Sequence, residues 1–146
     1  MKKILTVFFT IATVLVIIIV VKFSEYRANN LKLTTLNKEY EYYNKESLPG
    51  IELASLINKC IDSNTQNNIS KDENGMYITN TTNSLKVEIK MKMNDTVYQM
   101  ETIYKLGLDS FLNYFGTVNF KCTGIEYHEE TGKVSKLMFE SLDTNE

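Results

Sequence analysis

The run "ILTVFFTIATVLVIIIVV", residues 4–21, contains no charged residue, glycine or proline. At a rise of about 1.5 Å per helical residue it reaches about 27 Å, close to the ~30 Å hydrocarbon core a spanning helix crosses. A chain that opens this way either keeps its first helix in a lipid bilayer or loses it as a signal peptide. The exit "VVKFSEYR" offers no small-x-small cleavage site, and no cysteine lies nearby to accept lipid. Residues 4–21 are therefore expected to stay as a single-pass anchor whose partner is the bilayer. Thr6, Thr10 and Thr13 share one face of this helix, either to let a neighbouring helix approach closely or to bond their own backbone carbonyls. Lys2 and Lys3 on one flank face Lys22, Arg27 and Lys32 on the other, so counting basic residues does not fix the orientation. A short basic tail before a long apolar run is the pattern of an uncleaved export signal. It predicts the N-terminus inside and the remaining chain outside the cell membrane.

Charge narrows the partners. Without Lys2 and Lys3, 14 of the 16 basic residues remain against 18 acidic ones, a mildly acidic balance. Nucleic-acid binding rests on neutralising phosphates with a basic patch, so no nucleic-acid partner is expected. Lys and Asn dominate the polar set while Arg27 is the single arginine, a bias of AT-rich coding. On that reading the N-x-S/T matches at Asn68, Asn80 and Asn94 are products of composition.

The length of 146 residues predicts one domain beyond the anchor. Residues 22–49 form the next segment. Tyr26, Asn29, Leu33, Leu36, Tyr40 and Tyr43 recur three and four apart, so the anchor continues as an amphipathic stalk helix. Its stripe is expected to pack on the globular part, with a short coiled coil as the other reading. Pro49 and Gly50 end the rod. In residues 50–146, "IELASLINKCID" places Leu53, Leu56, Ile57, Cys60 and Ile61 on one face of a short helix. Strands are then predicted at 76–79, 85–91 and 96–103, a short helix at 107–116, and two strands around the turn "HEETGK". The fold class is α+β: a long transmembrane-plus-stalk helix, a short helix and an antiparallel sheet of about five strands.

Candidate chemistry is sparse. Set against an EF-hand, residues 62–73 offer Asp62, Asn64, Gln66, the Asn68 carbonyl, Ser70 and Glu73 at the calcium-ligand positions. Position six is Asn67 rather than glycine, and "NGMYIT" follows where a second helix belongs. A solvated, Asn-rich loop accounts for the same residues. Cys60 and Cys122 fall on predicted buried faces and either pair as a disulfide or act as small hydrophobes. His128, the only histidine, sits in the predicted turn beside Glu129 and Glu130 and reads as solvated rather than catalytic. No nucleophile elbow, P-loop, dinucleotide fingerprint or zinc-protease motif occurs, so neither an enzyme nor a cofactor is expected.

The phrases "GIELASLINKCID", "KDENGMYITNTTNSLKVEIKM", "YQMETIY" and "FKCTGIEYHEETGKVSKLMFE" resemble small single-span membrane proteins of low-GC Gram-positive bacteria. The apolar helix continued as an amphipathic rod against a small sheet is similar in architecture to pilins and pseudopilins. The chain departs from that pattern in lacking the Gly-Phe processing site before the apolar run and any glutamate within residues 4–21. The uninterrupted anchor and rod, together with the absence of catalytic constellations, lead to the expectation of a non-enzymatic, membrane-anchored extracytoplasmic interaction or assembly subunit, pilus-like or secretion-associated, whose partners are other protein subunits. The alternative is an outward binding or sensor module for a small ligand or calcium.

Overall fold

The computed structural model describes residues 2–142, with side chains from residue 6 onward. Helix α1 (Lys2–Glu41) runs unbroken because no glycine or proline precedes Pro49. Within it, Thr10 and Thr13 donate to the carbonyls of Val7 and Phe9, each at 2.8 Å, so these hydroxyls are satisfied inside the helix. Among the described residues this helix alone is long and apolar enough to cross a membrane, and none of its apolar window is buried in protein.

The chain forms two units, one up to Leu36 and one from Asn37 onward. The stripe predicted along the rod is divided between them: Tyr26 and Leu36 are exposed, whereas Tyr40 and Tyr43 pack against the core of the second unit. Asn37, in the last turns of α1, is held by two bonds. Its Nδ2 donates to the Gly132 carbonyl at 2.8 Å, and its Oδ1 accepts from the Val134 N–H at 3.1 Å. After Glu41 the chain leaves the helix through turns at 42–47.

The second unit continues through β1 (Leu48–Pro49), α2 (Gly50–Gln66), β2 (Lys86–Met91), β3 (Thr96–Gln99), α3 (Met100–Leu106), α4 (Leu108–Phe115), β4 (Asn119–Tyr127) and β5 (Val134–Ser141). One five-stranded sheet has the order β1-β4-β5-β2-β3. The α+β architecture and five strands agree with the sequence, with three local differences. Strand β2 lies parallel to β5, with Val87 beside Leu137 and Ile89 beside Phe139, so the sheet is mixed rather than antiparallel. Residues 76–79 form no strand; Tyr77 makes only an isolated bridge to Lys71, and the fifth strand is the two-residue β1. The strand expected at 96–103 stops at Gln99 and turns helical, because Met100 and Ile103 bury on one side of α3.

Alternation along β2 buries Val87, Ile89 and Met91, and the core continues through Phe120, Leu137 and Phe139. Onto it α2 packs Leu53, Leu56 and Ile57, all fully buried. Each such side chain contributes about 1.5–3 kcal/mol by leaving water. Gly50 begins α2 where no side chain fits: a Cβ there would lie 1.9 Å from the Phe115 carbonyl oxygen. That close approach lets Gly50 N–H donate to Val118 and Ile51 N–H to Gly116, tying α2 to the end of α4.

Candidate functional site

The short helix α3 separates two concavities. Met100 and Ile103 anchor it to the core, and Gly107, at φ +96°, breaks it from α4 in a conformation that favours glycine. On one side lies an apolar cavity of about 290 Å³ lined by Met91, Tyr98, Ile103, Phe111 and Tyr114. On the other lies a cleft of about 670 Å³ lined by Lys71, Met76, Glu101, Tyr104 and Lys105. Leu106, at the end of α3, borders both and is 68 % exposed.

Glu101 is the unusual member of this wall. Its side chain is 5 % exposed and its Oε1 accepts twice, from the Tyr77 N–H at 3.1 Å and from Lys86 Nζ at 3.2 Å. Lys86 Nζ also donates to the Tyr77 carbonyl, so one lysine ties the carboxylate to the 71–77 segment. The Tyr77 ring is buried, its hydroxyl bonds the Ile61 carbonyl at 3.3 Å and shares a 2.8 Å bond with Thr65, and Lys71 Nζ lies 4.5 Å from its centroid. Asp72 shapes the rim by accepting from the N–H groups of Asn74 and Met76, both at 2.9 Å. Against this, Glu101 Oε2 is buried with no hydrogen-bond partner among the described residues. Leaving a buried acceptor unpaired costs about 1–3 kcal/mol, and more when it carries charge.

The calcium-loop residues do not converge. Helix α2 runs through Gln66, which puts Asp62, Asn64 and Gln66 on a helix instead of a loop. Asp62 accepts from Asn58 at 3.3 Å on the exposed side. Asn64 is fully buried; its Nδ2 donates to the Leu85 carbonyl and its Oδ1 accepts from the Leu85 N–H, both at 2.8 Å, so the amide points into the fold rather than to a loop. Asn68 turns the chain at φ +53°, the Ser70 carbonyl accepts from Ile78 N–H, and Glu73 is solvent-exposed. Among the described residues no three His, Cys, Asp or Glu side chains gather for a metal ion.

The two thiols are free and buried, so the disulfide alternative for Cys60 and Cys122 is not realised in this structure. Burial pushes Cys60 up to about 12, a thiol that behaves as core rather than nucleophile. Burial also raises Cys122, whose Sγ donates to the Gly124 carbonyl at 3.6 Å. His128 differs from the solvated histidine that the turn predicts. It is 5 % exposed, and its Nε2–H donates to the Ser84 carbonyl at 2.8 Å. The hairpin folds back on residues 80–84, where Thr131 also bonds the Thr82 carbonyl at 2.8 Å, and this closes water out.

Glu101 escapes a reading of the sequence because "TVYQMETI" alternates like a strand, which makes its third-from-last residue an ordinary solvated glutamate. The signal for it lies in tertiary contacts with Tyr77 and Lys86. Compared with family models, curated proteins and solved structures, the chain matches none.

Proposed function

We propose that the chain is a non-enzymatic, membrane-anchored interaction or assembly subunit, with its N-terminus inside and its α+β domain outside. The observation that carries this reading is the uninterrupted apolar helix, none of whose apolar window is covered by the protein itself. A bare surface of that length is stable only where lipid or other helices cover it. The interaction half of the reading is supported by the apolar cavity beside α4, whose rim residues Leu106 and Tyr114 are largely exposed. Cross-linking of the full-length protein in its own membrane tests the proposal. A discrete higher-mass species supports an interaction subunit, and a regular ladder supports the pilin-like form of it. A strictly monomeric chain removes the assembly reading.

A second reading, an outward domain that binds a small ligand, is supported by the cleft beside α3.

A further inference from the structure

We propose that Asn74 is a modification site, where the folded chain converts its own asparagine to aspartate and isoaspartate without an enzyme. Asparagine is a thermolabile residue because the backbone nitrogen that follows it can attack its side-chain carbonyl carbon. Hydroxide takes the proton of the Gly75 N–H, the Gly75 nitrogen bonds to Asn74 Cγ, and the Cγ–Nδ2 bond breaks. Nδ2 leaves as ammonia after taking a proton from water, which returns the hydroxide. A second water opens the cyclic imide at either carbonyl, giving aspartate or the isoaspartyl linkage.

The reaction needs an unhindered nitrogen, a side-chain amide that nothing holds, and a backbone outside regular structure. Asn74 meets all three. Asn74–Gly75 is the only Asn-Gly pair in the sequence. Glycine leaves the attacking nitrogen open, and a Cβ built on Gly75 would meet nothing within 4 Å. Both residues are exposed and lie in a turn. The Asn74 side-chain amide has no hydrogen-bond partner among the described residues, and only its backbone N–H is held, by Asp72. By contrast Asn37, Asn58, Asn64, Asn67, Asn80, Asn83 and Asn94 are tied through their side chains. Asn29, Asn30 and Asn113 sit in helices, Asn119 opens β4, and Asn68 precedes the β-branched Ile69. Asn44 is the nearest rival, exposed and outside helix or strand, but Lys45 follows it. One bond opposes the attack at Asn74: Gly75 N–H donates to the Asp72 carbonyl at 3.0 Å. Giving up an exposed bond of this kind slows the reaction by at most about tenfold. The product sets a third carboxylate beside Asp72 and Glu73, and the isoaspartyl form adds a main-chain carbon to the turn closed by the Lys71–Tyr77 bridge.

This site is independent of the assembly proposal, because neither topology nor oligomeric state enters the argument. Full-length protein in detergent is incubated folded at mildly alkaline pH, beside the same chain unfolded in urea. Timed samples are digested and read by mass spectrometry for the mass gain of an acid replacing an amide, and isoaspartate is counted by enzymatic methyl transfer. In the folded protein Asn74 is expected to convert ahead of every other described asparagine, Asn44 included, and within about tenfold of its rate in urea. Asn74→Gln, whose longer side chain closes its ring far more slowly, is expected to abolish the isoaspartate signal from the 71–77 segment. A folded-state rate slower than that limit, or conversion of Asn44 ahead of Asn74, overturns the proposal. An isoaspartate signal from the same segment that persists in Asn74→Gln overturns it equally, since the product would then arise at Asp72.

Discussion

Asn64→Ala should be among the most damaging single changes in the domain, although the residue lies in a stretch that invites a surface-ligand reading. The side-chain amide stands in for a neighbouring strand: it gives one hydrogen bond to the Leu85 carbonyl and takes one from the Leu85 N–H, both at 2.8 Å and both buried. Alanine leaves a buried donor and a buried acceptor without partners, each costing about 1–3 kcal/mol, and opens a small void. The total is about 3–5 kcal/mol, a large share of the ~5–15 kcal/mol typical of a folded domain. For a unit of this size about 1 kcal/mol shifts Tm by roughly 4–8 °C, so the midpoint should fall by at least about 12 °C. Thermal unfolding of the full-length protein in detergent, followed by near-UV circular dichroism, measures this. Asn64→Asp should also destabilise, because a carboxylate would face the Leu85 carbonyl. Calcium should rescue neither variant. A loss below about 1 kcal/mol for Asn64→Ala would refute the strand-mimic account of the residue.

Three further outcomes follow from the same geometry. Gly50→Ala should destabilise by at least about 1–3 kcal/mol, since its Cβ meets the backbone oxygen of Phe115 at 1.9 Å and α2 or α4 must move; urea denaturation reads the change. His128→Gln, which can still donate to the Ser84 carbonyl, should cost less than about 1 kcal/mol, while His128→Ala should cost about 1–3 kcal/mol, both read as urea midpoints. Burial pushes Cys60 from 9.0 to about 12, and burial, with Cys60 next, pushes Tyr40 from 10.0 to about 12. A raised folded-state value gives stability that is fully present below the unfolded value and is lost as pH rises to the folded one. Unfolding free energy from urea melts should therefore fall between about pH 9 and 12, and Cys60→Ala should flatten the start of that decline.

Where periodicity is local, the sequence read this fold well. Leu53, Leu56, Ile57 and Cys60 at helical spacing, and Val87, Ile89 and Met91 in alternation, placed α2 and β2 on the core. Hydrophobic pattern does not encode strand direction, so the parallel β2–β5 pair was invisible in the sequence. "MYIT" has strand composition in Met76, Tyr77 and Ile78, yet Tyr77 is held by its hydroxyl and backbone to Ile61, Thr65 and Glu101 rather than by a ladder. Helix α2 ends at Gln66, four residues beyond "IELASLINKCID", and a calcium loop starting at Asp62 requires the earlier boundary. The roles of half-buried Asn37 and of buried Asn64, Glu101 and His128 come from partners 15 to 97 residues away, which no local pattern reports.

The central claim is that residues 4–21 stay in the membrane and deliver the α+β domain to the outside. Protease treatment of intact cells carrying a C-terminal tag on the full-length chain tests it most directly. The account predicts loss of the tag from intact cells, with a small membrane-retained fragment left behind. A tag protected in intact cells and digested only after lysis would put the domain inside and contradict the account.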